Sequence, residues 1–296
     1  MLDMDIAPPW FADLCAQHGL AAQADALSSL LRPCLAFAPV ATDPPMLGAS
    51  RKGGGPDVPE GFAWPVHRGR ALDFLLQINL ADLADAPSGL DLPSTGVLSF
   101  FYDMDEQPWG YEPEHRTGHR VFLFNADELV RRLPAADEAF ALVPSALVFH
   151  PGLRLPQLES AEGARVGGWM TEHGLGWDER CEDAYFELVD AVAAHHAGRA
   201  KPLHAVGGHA HSIQGDMQLE AQLVTHGLSC GDGTAYSDPR RPAWEQDRGQ
   251  WQLLLQLDSA DNDAMWGDSG MLYFWIRRHD LAARDLSQTW MALQCC

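Results

Sequence analysis

The sequence has little lysine, no C-x-x-C pair of cysteines and no long apolar run, and each shortage excludes a class of protein. Only Lys52 and Lys201 are lysines, and 20 basic residues face 41 acidic ones, which gives a net charge of −21. Binding to nucleic acid or to an anionic membrane needs clustered positive charge. We therefore expect neither a nucleic-acid partner nor a membrane partner.

The cysteines and the N-terminal residues indicate a compartment. The six cysteines are scattered, without the C-x-x-C spacing of a zinc knuckle, so we expect reduced thiols. No apolar run approaches the ~18 residues of a membrane helix. The first ten residues, MLDMDIAPPW, lack the basic start and apolar stretch of a secretory signal. We therefore expect a cytoplasmic protein.

Apolar spacing predicts two helical regions. Residues 8–32 place apolar side chains at mostly three- and four-residue steps before Pro33, which predicts a helical lead-in within residues 1–33. From Trp177 to His196 the apolar residues fall on one helical stripe, which predicts one long amphipathic helix.

The most informative pattern is an internal repeat. Residues 72–79 (LDFLLQIN) and 251–258 (WQLLLQLD) both alternate with period two and carry Leu-Gln at positions five and six. A second strand follows each run, GVLSFF at 96–101 and GMLYFW at 270–275. A double glycine precedes each unit, Gly54-Gly55 in one case and Gly207-Gly208 in the other. We interpret this pattern as a diverged duplication.

These elements predict the fold class. Strands joined by hairpins, with few helices, are typical of an α+β fold with mostly antiparallel sheets. We expect one compact domain over residues 1–296, with two diverged halves at about 34–150 and 200–296, each containing a β-hairpin. A chain of this length buries roughly 75% of its unfolded surface.

Several motifs together resemble the YwqG-like family. They are Gly54-Gly55-Pro56-Asp57-Val58-Pro59, Trp64-Pro65, Leu76-Gln77-Ile78-Asn79, Gly215-Asp216-Met217-Gln218-Leu219-Glu220, the segments 254–258 and 265–276, and Leu293-Gln294-Cys295. The resemblance spans roughly residues 45–296, and Trp266-Gly267-Asp268 is its most specific part. It implies a compact α+β fold in a bacterial cytoplasmic protein and implies no activity. The sequence departs from the family at residues 208–211, GHAH, where similar proteins tend to have a Gly-Tyr-Pro type of turn.

The acidic stretch 257–270 contains two candidate motifs. Its GDSG ending resembles a serine-protease loop, but Gly270 opens a strand and the further Gly-Pro of those proteases is absent. A calcium hand fails because Met265 and Trp266 occupy its fifth and sixth positions. A looser cation site formed by Asp258, Asp261, Asp263 and Asp268 stays open as an alternative. For Asp268 we predict that it closes the turn by accepting backbone N–H bonds, while Trp266 packs below it.

The histidine and cysteine residues form no complete zinc-binding or catalytic motif. His204, His209 and His211 offer three nitrogens, but no cysteine or Glu-x-x-His motif completes a known zinc arrangement. Cys230 has His226 four residues earlier and no orienting partner in view. We therefore predict no catalytic residue, no metal and no cofactor.

Polar residues at equivalent strand positions are the candidate binding residues. Gln77 and Gln256 occupy the same place in the two repeats, and Asn79 and Asp258 follow two residues later. Amides at such positions either line a cleft between the halves or satisfy backbone groups at a sheet junction. With the turn residues, the candidate set is Gln77, Asn79, Gln256, Asp258, Trp266 and Asp268.

Two hypotheses of function follow. The first is a non-catalytic cytoplasmic binding protein, for instance an acidic antidote or immunity-type protein that masks a basic partner. It rests on the charge of −21, on ten tryptophans and on the absence of a complete catalytic motif. The alternative is a small-molecule-binding enzyme or sensor with a site in a cleft between the halves. We favour the first, and the sequence decides neither the partner nor the oligomeric state.

Overall fold

The structure is a computed structural model that describes residues 8–41, 46–84, 87–133, 142–197, 203–261 and 264–295. Its α-helices are α1 (Pro9–Gln17), α2 (Ala24–Ser28), α3 (Val166–Glu172), α4 (Glu179–Ala197), α5 (Met217–Thr225), α6 (Arg241–Glu245) and α7 (Arg278–Ala282). Its strands are β1 (Arg32–Val40), β2 (Arg51–Lys52), β3 (Asp57–Pro59), β4 (Val66–His67), β5 (Arg70–Ala71), β6 (Asp73–Asn79), β7 (Val97–Tyr102), β8 (His119–Phe124), β9 (Leu129–Arg131), β10 (Ser145–Arg154), β11 (Ala205–Gly207), β12 (Trp251–Asp258), β13 (Met271–Arg277) and β14 (Trp290–Gln294). These elements confirm the predicted α+β class.

Ten strands form one antiparallel sheet, in the order β14-β13-β12-β11-β1-β10-β2-β6-β7-β8. The order is symmetric about the central pair β1 and β10. On one side of this pair lie β2, β6, β7 and β8, and on the other side lie β11, β12, β13 and β14 in the corresponding positions. The sheet therefore has an internal two-fold pattern.

The two central hairpins share the same irregularity. In β6–β7 the register shifts between Phe74 and Leu76, and in β12–β13 it shifts between Leu253 and Leu255. A bulge is a specific feature, because one extra residue turns all later side chains of the strand to the opposite face. Bulges at matching places of the repeat support the predicted duplication.

The strand pairing corrects the alignment of the glycines. Lys52 pairs with Leu76, and Val206 pairs with the equivalent Leu255, so that the following glycines correspond as Gly53-Gly54 and Gly207-Gly208. The predicted match of Gly54-Gly55 is therefore wrong by one residue. All four corresponding glycines have φ between +66° and +73°, a left-handed conformation that glycine adopts without steric cost.

The sheet curls until its two ends meet around an apolar interior. The ring of Phe100 in β7 lies edge-on to that of Phe274 in β13, with centroids 5.2 Å apart. On β8, the Nε2 atom of His119 lies 3.0 Å from the carbonyl oxygen of Thr289, next to β14. Buried side chains of both hairpins and of β14 fill the interior, among them Leu98, Phe100, Leu255, Phe274 and Met291.

Helices and loops cover the outer face of the sheet. Helix α5 packs on Trp251, Tyr273 and Trp290 of the second half, whereas Phe62 and Trp64 cover the first half. The predicted lead-in forms α1 and α2, and the predicted long helix forms α4. These three helices pack together on the end of β10.

The burial of His119 predicts a pH-dependent stability. Burial lowers the pKa of His119 to about 4, whereas an unfolded histidine has a pKa of about 6.5. Between these values only the unfolded chain takes up the proton, so stability falls as the pH falls, by at most about 1.4 kcal/mol per pH unit. The variant His119→Gln should therefore show a shallower loss of stability from pH 6.5 to pH 4.5 in urea unfolding.

The matched control for this measurement is His279→Gln, because the His279 side chain is exposed. It should keep the slope of the parent. An unchanged slope in His119→Gln would contradict the assignment.

Candidate functional site

The six predicted binding residues do not line one cleft. Gln77 lies on β6 and Gln256 on β12, with four strands between them in the sheet, which is a path of about 24 Å along the sheet at ~4.8 Å per strand. Their neighbours Leu76 and Leu255 belong to the interior core, so both amides lie on the outer face of the curled sheet. Of the two alternatives for these amides, the strand order therefore speaks against a shared cleft and the hydrogen bonds agree with the satisfaction of backbone groups. A binding role for these residues stays a prediction.

Each glutamine instead joins a loop to its own half. The Oε1 atom of Gln77 accepts a hydrogen bond from the backbone N of Asp57 (2.8 Å), and its Nε2 donates to the O of Ala49 (2.9 Å). The same atoms of Gln256 bond the N of His211 (2.9 Å) and the O of Leu203 (2.7 Å). Both side chains are fully buried. The two networks are equivalent, because loop residues 49 and 57 correspond to 203 and 211.

Asn79 and Asp258 repeat this equivalence. Each Oδ1 accepts a hydrogen bond from the backbone N two residues later, Ala81 in one case and Ala260 in the other, at 3.0 Å. The second oxygen of Asp258 accepts from the N of Leu203 (2.9 Å). These polar groups are engaged in fixing the protein's own backbone.

Each glutamine also faces a buried arginine. Arg51 lies 3.4 Å from the Oε1 of Gln77 and 3.0 Å from Asp57, and Arg154 lies 3.1 Å from the Oε1 of Gln256. Burial raises the pKa of Asp57, but hydrogen bonds from Arg131 and from the N of Gly48, with the charge of Arg51, reverse this effect and lower it. Asp57 therefore stays ionised in the interior.

The turn at Trp266-Gly267-Asp268 is closed by a residue that the sequence did not indicate. The Oγ atom of Ser259 donates to the O of Gly270 (2.8 Å) and accepts from the N of Trp266 (2.9 Å). Trp266 packs below the turn as predicted, edge-on to Tyr102 at 6.0 Å. Asp268 is exposed, and no hydrogen bond within the described residues uses its carboxylate. The prediction that Asp268 closes the turn is wrong.

Gln107 connects this turn to the first half. Its Nε2 donates to the O of Met265 and its Oε1 accepts from the N of Gly267, both at 3.0 Å. Gln107 has φ +44°, which a non-glycine residue adopts only where its surroundings fix it.

The GDSG serine, Ser269, is exposed at the same turn. The open cation alternative includes Asp263, which lies outside the described residues.

The histidine and cysteine candidates have separate surroundings. His204 Nδ1 accepts from the N of Asp258 (3.0 Å), whereas the Nε2 of His209 lies 2.9 Å from the O of Leu30. His211 Nε2 lies 3.6 Å from Asp190. Burial raises the pKa of Cys230 to about 12, so its thiol carries a proton at neutral pH and is a poor nucleophile.

A carboxyl group beside Cys230 is the strongest acid–base candidate. Burial, with a smaller contribution from Asp216, raises the pKa of Glu220 to about 7. Glu220 lies on α5, whose N-terminus is capped by Asp216 accepting from the N of Leu219 (2.9 Å). The group can exchange a proton near neutral pH, but it has no thiolate beside it.

An open groove runs between α3 and α4, and we call it the acidic groove. Its lining consists of Leu158, Glu159, Gly163, Ala164, Gly167, Gly168, Thr171, Trp177, Glu182 and Phe186. Gly163, Gly167 and Gly168 carry no side chains, so the α3 side of the acidic groove has no side chains projecting from these positions. The indole N–H of Trp177 is buried and has no hydrogen-bond partner within the described ranges.

The exposed stripe of α4 continues the acidic groove. Segment 178–190 carries six acids against one arginine, and the acids are Asp178, Glu179, Glu182, Asp183, Glu187 and Asp190. Among them Phe186 is 42% exposed. The opposite stripe of α4, with Tyr185, Leu188 and Val192, is buried against the lead-in helices and β10. The helix therefore presents acids around one exposed aromatic ring.

A second, smaller cleft of about 90 Å³ opens at the start of β12, and we call it the amide cleft. Gln157, Gln218 and Gln252 line it, together with Trp251 and Trp275. The indole N–H of Trp275 is buried and lacks a partner among the residues that the structure describes. Amides around aromatic rings are suited to a polar small molecule.

Comparison with known proteins gives a family. Residues 50–295 match the model of the domain of unknown function DUF1963, and the chain belongs to this family. No curated protein matches the chain. In the described part of the chain, no helix combines the length and the apolar character needed to cross a membrane.

The turn assignment gives a testable contrast between two variants. Ser259→Ala should lower the free energy of unfolding by about 1–3 kcal/mol, because it leaves the buried backbone N–H of Trp266 unpaired. Asp268→Ala should change it by less than about 0.5 kcal/mol, as expected for an exposed residue. Chemical denaturation of both variants measures the contrast. A larger loss in Asp268→Ala than in Ser259→Ala would restore the original assignment.

Proposed function

We propose that this protein is a non-catalytic binding protein that masks a basic partner through the acidic groove and the exposed stripe of α4. The observation that carries the proposal is the placement of Phe186 within a stripe of acids beside an open groove. The partner that fits is a protein segment with lysine or arginine around an apolar side chain.

The charge of the stripe supports a fast encounter. Glu187 is 75% exposed and Asp190 is 71% exposed, and His18 and His211 are their only cationic contacts within the described residues. Exposed like charges attract an oppositely charged partner over about a Debye length, ~8 Å at physiological salt. Such attraction raises the association rate and favours basic partners over neutral ones.

The aromatic rings supply the short-range part of the interaction. Aromatic residues surrounded by weaker polar contacts are the usual centres of binding energy. Phe186 projects at the edge of the acidic groove, and Trp177 lies within it with an unsatisfied indole N–H.

Photocrosslinking from position 186 tests this proposal. With benzoylphenylalanine in place of Phe186, we expect cells that naturally produce the protein to yield a crosslink to one basic protein. The captured protein is then purified and titrated against the parent. Its affinity should fall at least about tenfold in Phe186→Ala and steeply between about 0.05 and 0.5 M salt.

The control places the same crosslinker at Val148, which is 41% exposed on β10. Position 148 should not capture the same protein. The triple variant Glu182→Gln, Asp183→Asn and Glu187→Gln should bind more weakly while melting like the parent. Equal capture at both positions would disprove the proposal. An affinity that changes neither with salt nor in the triple variant would disprove it as well.

We also propose a family subgroup and a cellular compartment for this protein. The motifs around Trp266-Gly267-Asp268 resemble the YwqG-like group, and we place the chain in that group as a bacterial cytoplasmic protein. The acidity of the chain and its scattered cysteines support this placement.

The amide cleft supports a second candidate, a sensor or enzyme that binds a small polar molecule. The specific observation is the unpaired, buried indole N–H of Trp275 in a cleft lined by three glutamines. Native mass spectrometry of gently purified protein should show a retained small molecule. The variant Gln252→Met should lose it with little change in melting temperature. A parent without such a molecule would rule this candidate out.

A further inference from the structure

A histidine and two carboxylates meet at one edge of the first half. Ligand atoms of His67, Asp103 and Glu106 lie within 4.8 Å of one another. His67 ends β4, and its hairpin turn passes through Arg68 and Gly69 with positive φ. Asp103 follows β7 directly, and Glu106 belongs to the next turn. The two carboxylates therefore approach the imidazole from a different part of the chain.

One nitrogen of His67 lacks a hydrogen bond. The side chain is only 2% exposed, and Nδ1 is 2.7 Å from the Oγ1 of Thr117. Within the described residues Nε2 makes no hydrogen bond, although Glu106 Oε2 lies 3.5 Å away. With Nδ1–H donating to Thr117, the lone pair of Nε2 faces a carboxylate oxygen. Either a proton on Nε2 or a metal cation between the two atoms satisfies both of them.

The carboxylates around His67 outnumber the guanidinium groups, which favours a bound cation. Arg70 contacts both Asp73 and Asp103, and Arg68 contacts Glu106 at 2.6 Å. Three carboxylates thus face two guanidinium groups. Arg68 is 60% exposed and can move into solvent, because an exposed ion pair contributes little free energy.

We propose that His67, Asp103 and Glu106 form a binding site for a divalent transition-metal ion, with Zn²⁺ as the best match. Zinc binds imidazole nitrogen and carboxylate oxygen at about 2.0–2.2 Å, which places neighbouring ligand atoms roughly 3.4 Å apart. Glu106, whose side chain is 43% exposed, can close the remaining distance. Three protein ligands leave a fourth position for water.

Thr117 has the role of an outer partner in this site. A histidine that binds a metal almost always donates its other ring N–H, which fixes the tautomer and the ring orientation. Asp103 is similarly positioned, because its Oδ1 accepts from Arg70 and from the N of Asp105 and the N of Glu106. The side chains of His67 and Asp103 are thus oriented before any ion binds.

Metal binding would fix the loop that connects the two halves. Glu106 immediately precedes Gln107, whose side chain bonds the turn at Met265 and Gly267. An ion held by His67 and Glu106 would restrain this loop against the β4–β5 hairpin. The site is independent of the acidic groove.

Titration of chelator-treated protein with ZnCl₂ by isothermal calorimetry tests the proposal. We expect one site in the parent, with affinity lowered at least about tenfold in His67→Gln and in Glu106→Gln. Arg68→Ala should bind up to about fivefold more tightly, because it removes a competitor for Glu106. Zn²⁺ should also raise the melting temperature of the parent.

Glu114→Gln is the matched control, because Glu114 is an exposed acid outside the cluster. It should bind like the parent. Glu106→Gln keeps the test decisive if His67→Gln fails to fold, since Glu106 is half exposed. Equal zinc binding in the parent and in Glu106→Gln would show adventitious binding elsewhere, and a parent that binds no Zn²⁺ would equally overturn the site.

Discussion

The structure depends on two buried amides that join irregular loops to the sheet. An unpaired peptide group in the interior costs about 1–3 kcal/mol, and the loops before β6 and β12 cover the sheet where water cannot reach them. Gln77 and Gln256 each donate to one peptide group and accept from another. Because one side chain satisfies both ends of the loop, the glycine turns and the short strands β2 and β11 keep fixed positions.

This arrangement separates the scaffold from the surfaces that are available for function. The polar groups between the halves are engaged with the protein's own backbone. The acidic groove and the cluster at His67 lie away from the equivalent positions of the repeat. The amide cleft differs, because it takes Trp251 and Gln252 from β12 and Gly89 and Leu90 from the first half. For the acidic groove and the cluster at His67, function is therefore expected where the two halves differ.

The sequence predicted the elements whose pattern is local. Period-two alternation follows from the pleat of a strand, so β6, β7, β12 and β13 were accessible, as was the stripe of α4. Helix α5 gave no such stripe, because it buries Gln218 and Gln222 along with its apolar residues. The contacts of Ser259 and Gln107 depend on the tertiary fold, and the acidic groove depends on how α3 packs against α4. No spacing in the sequence indicates them.

The buried arginine that faces the glutamine comes from a different strand in each half. Arg51 belongs to β2, whose equivalent residue on β11 is Ala205, and in the second half Arg154 reaches Gln256 from β10 instead. A positive group thus faces the amide oxygen in both halves, although different strands provide it. Aligning the halves by residue identity alone misses this equivalence, because what they share is a charge at a point in space.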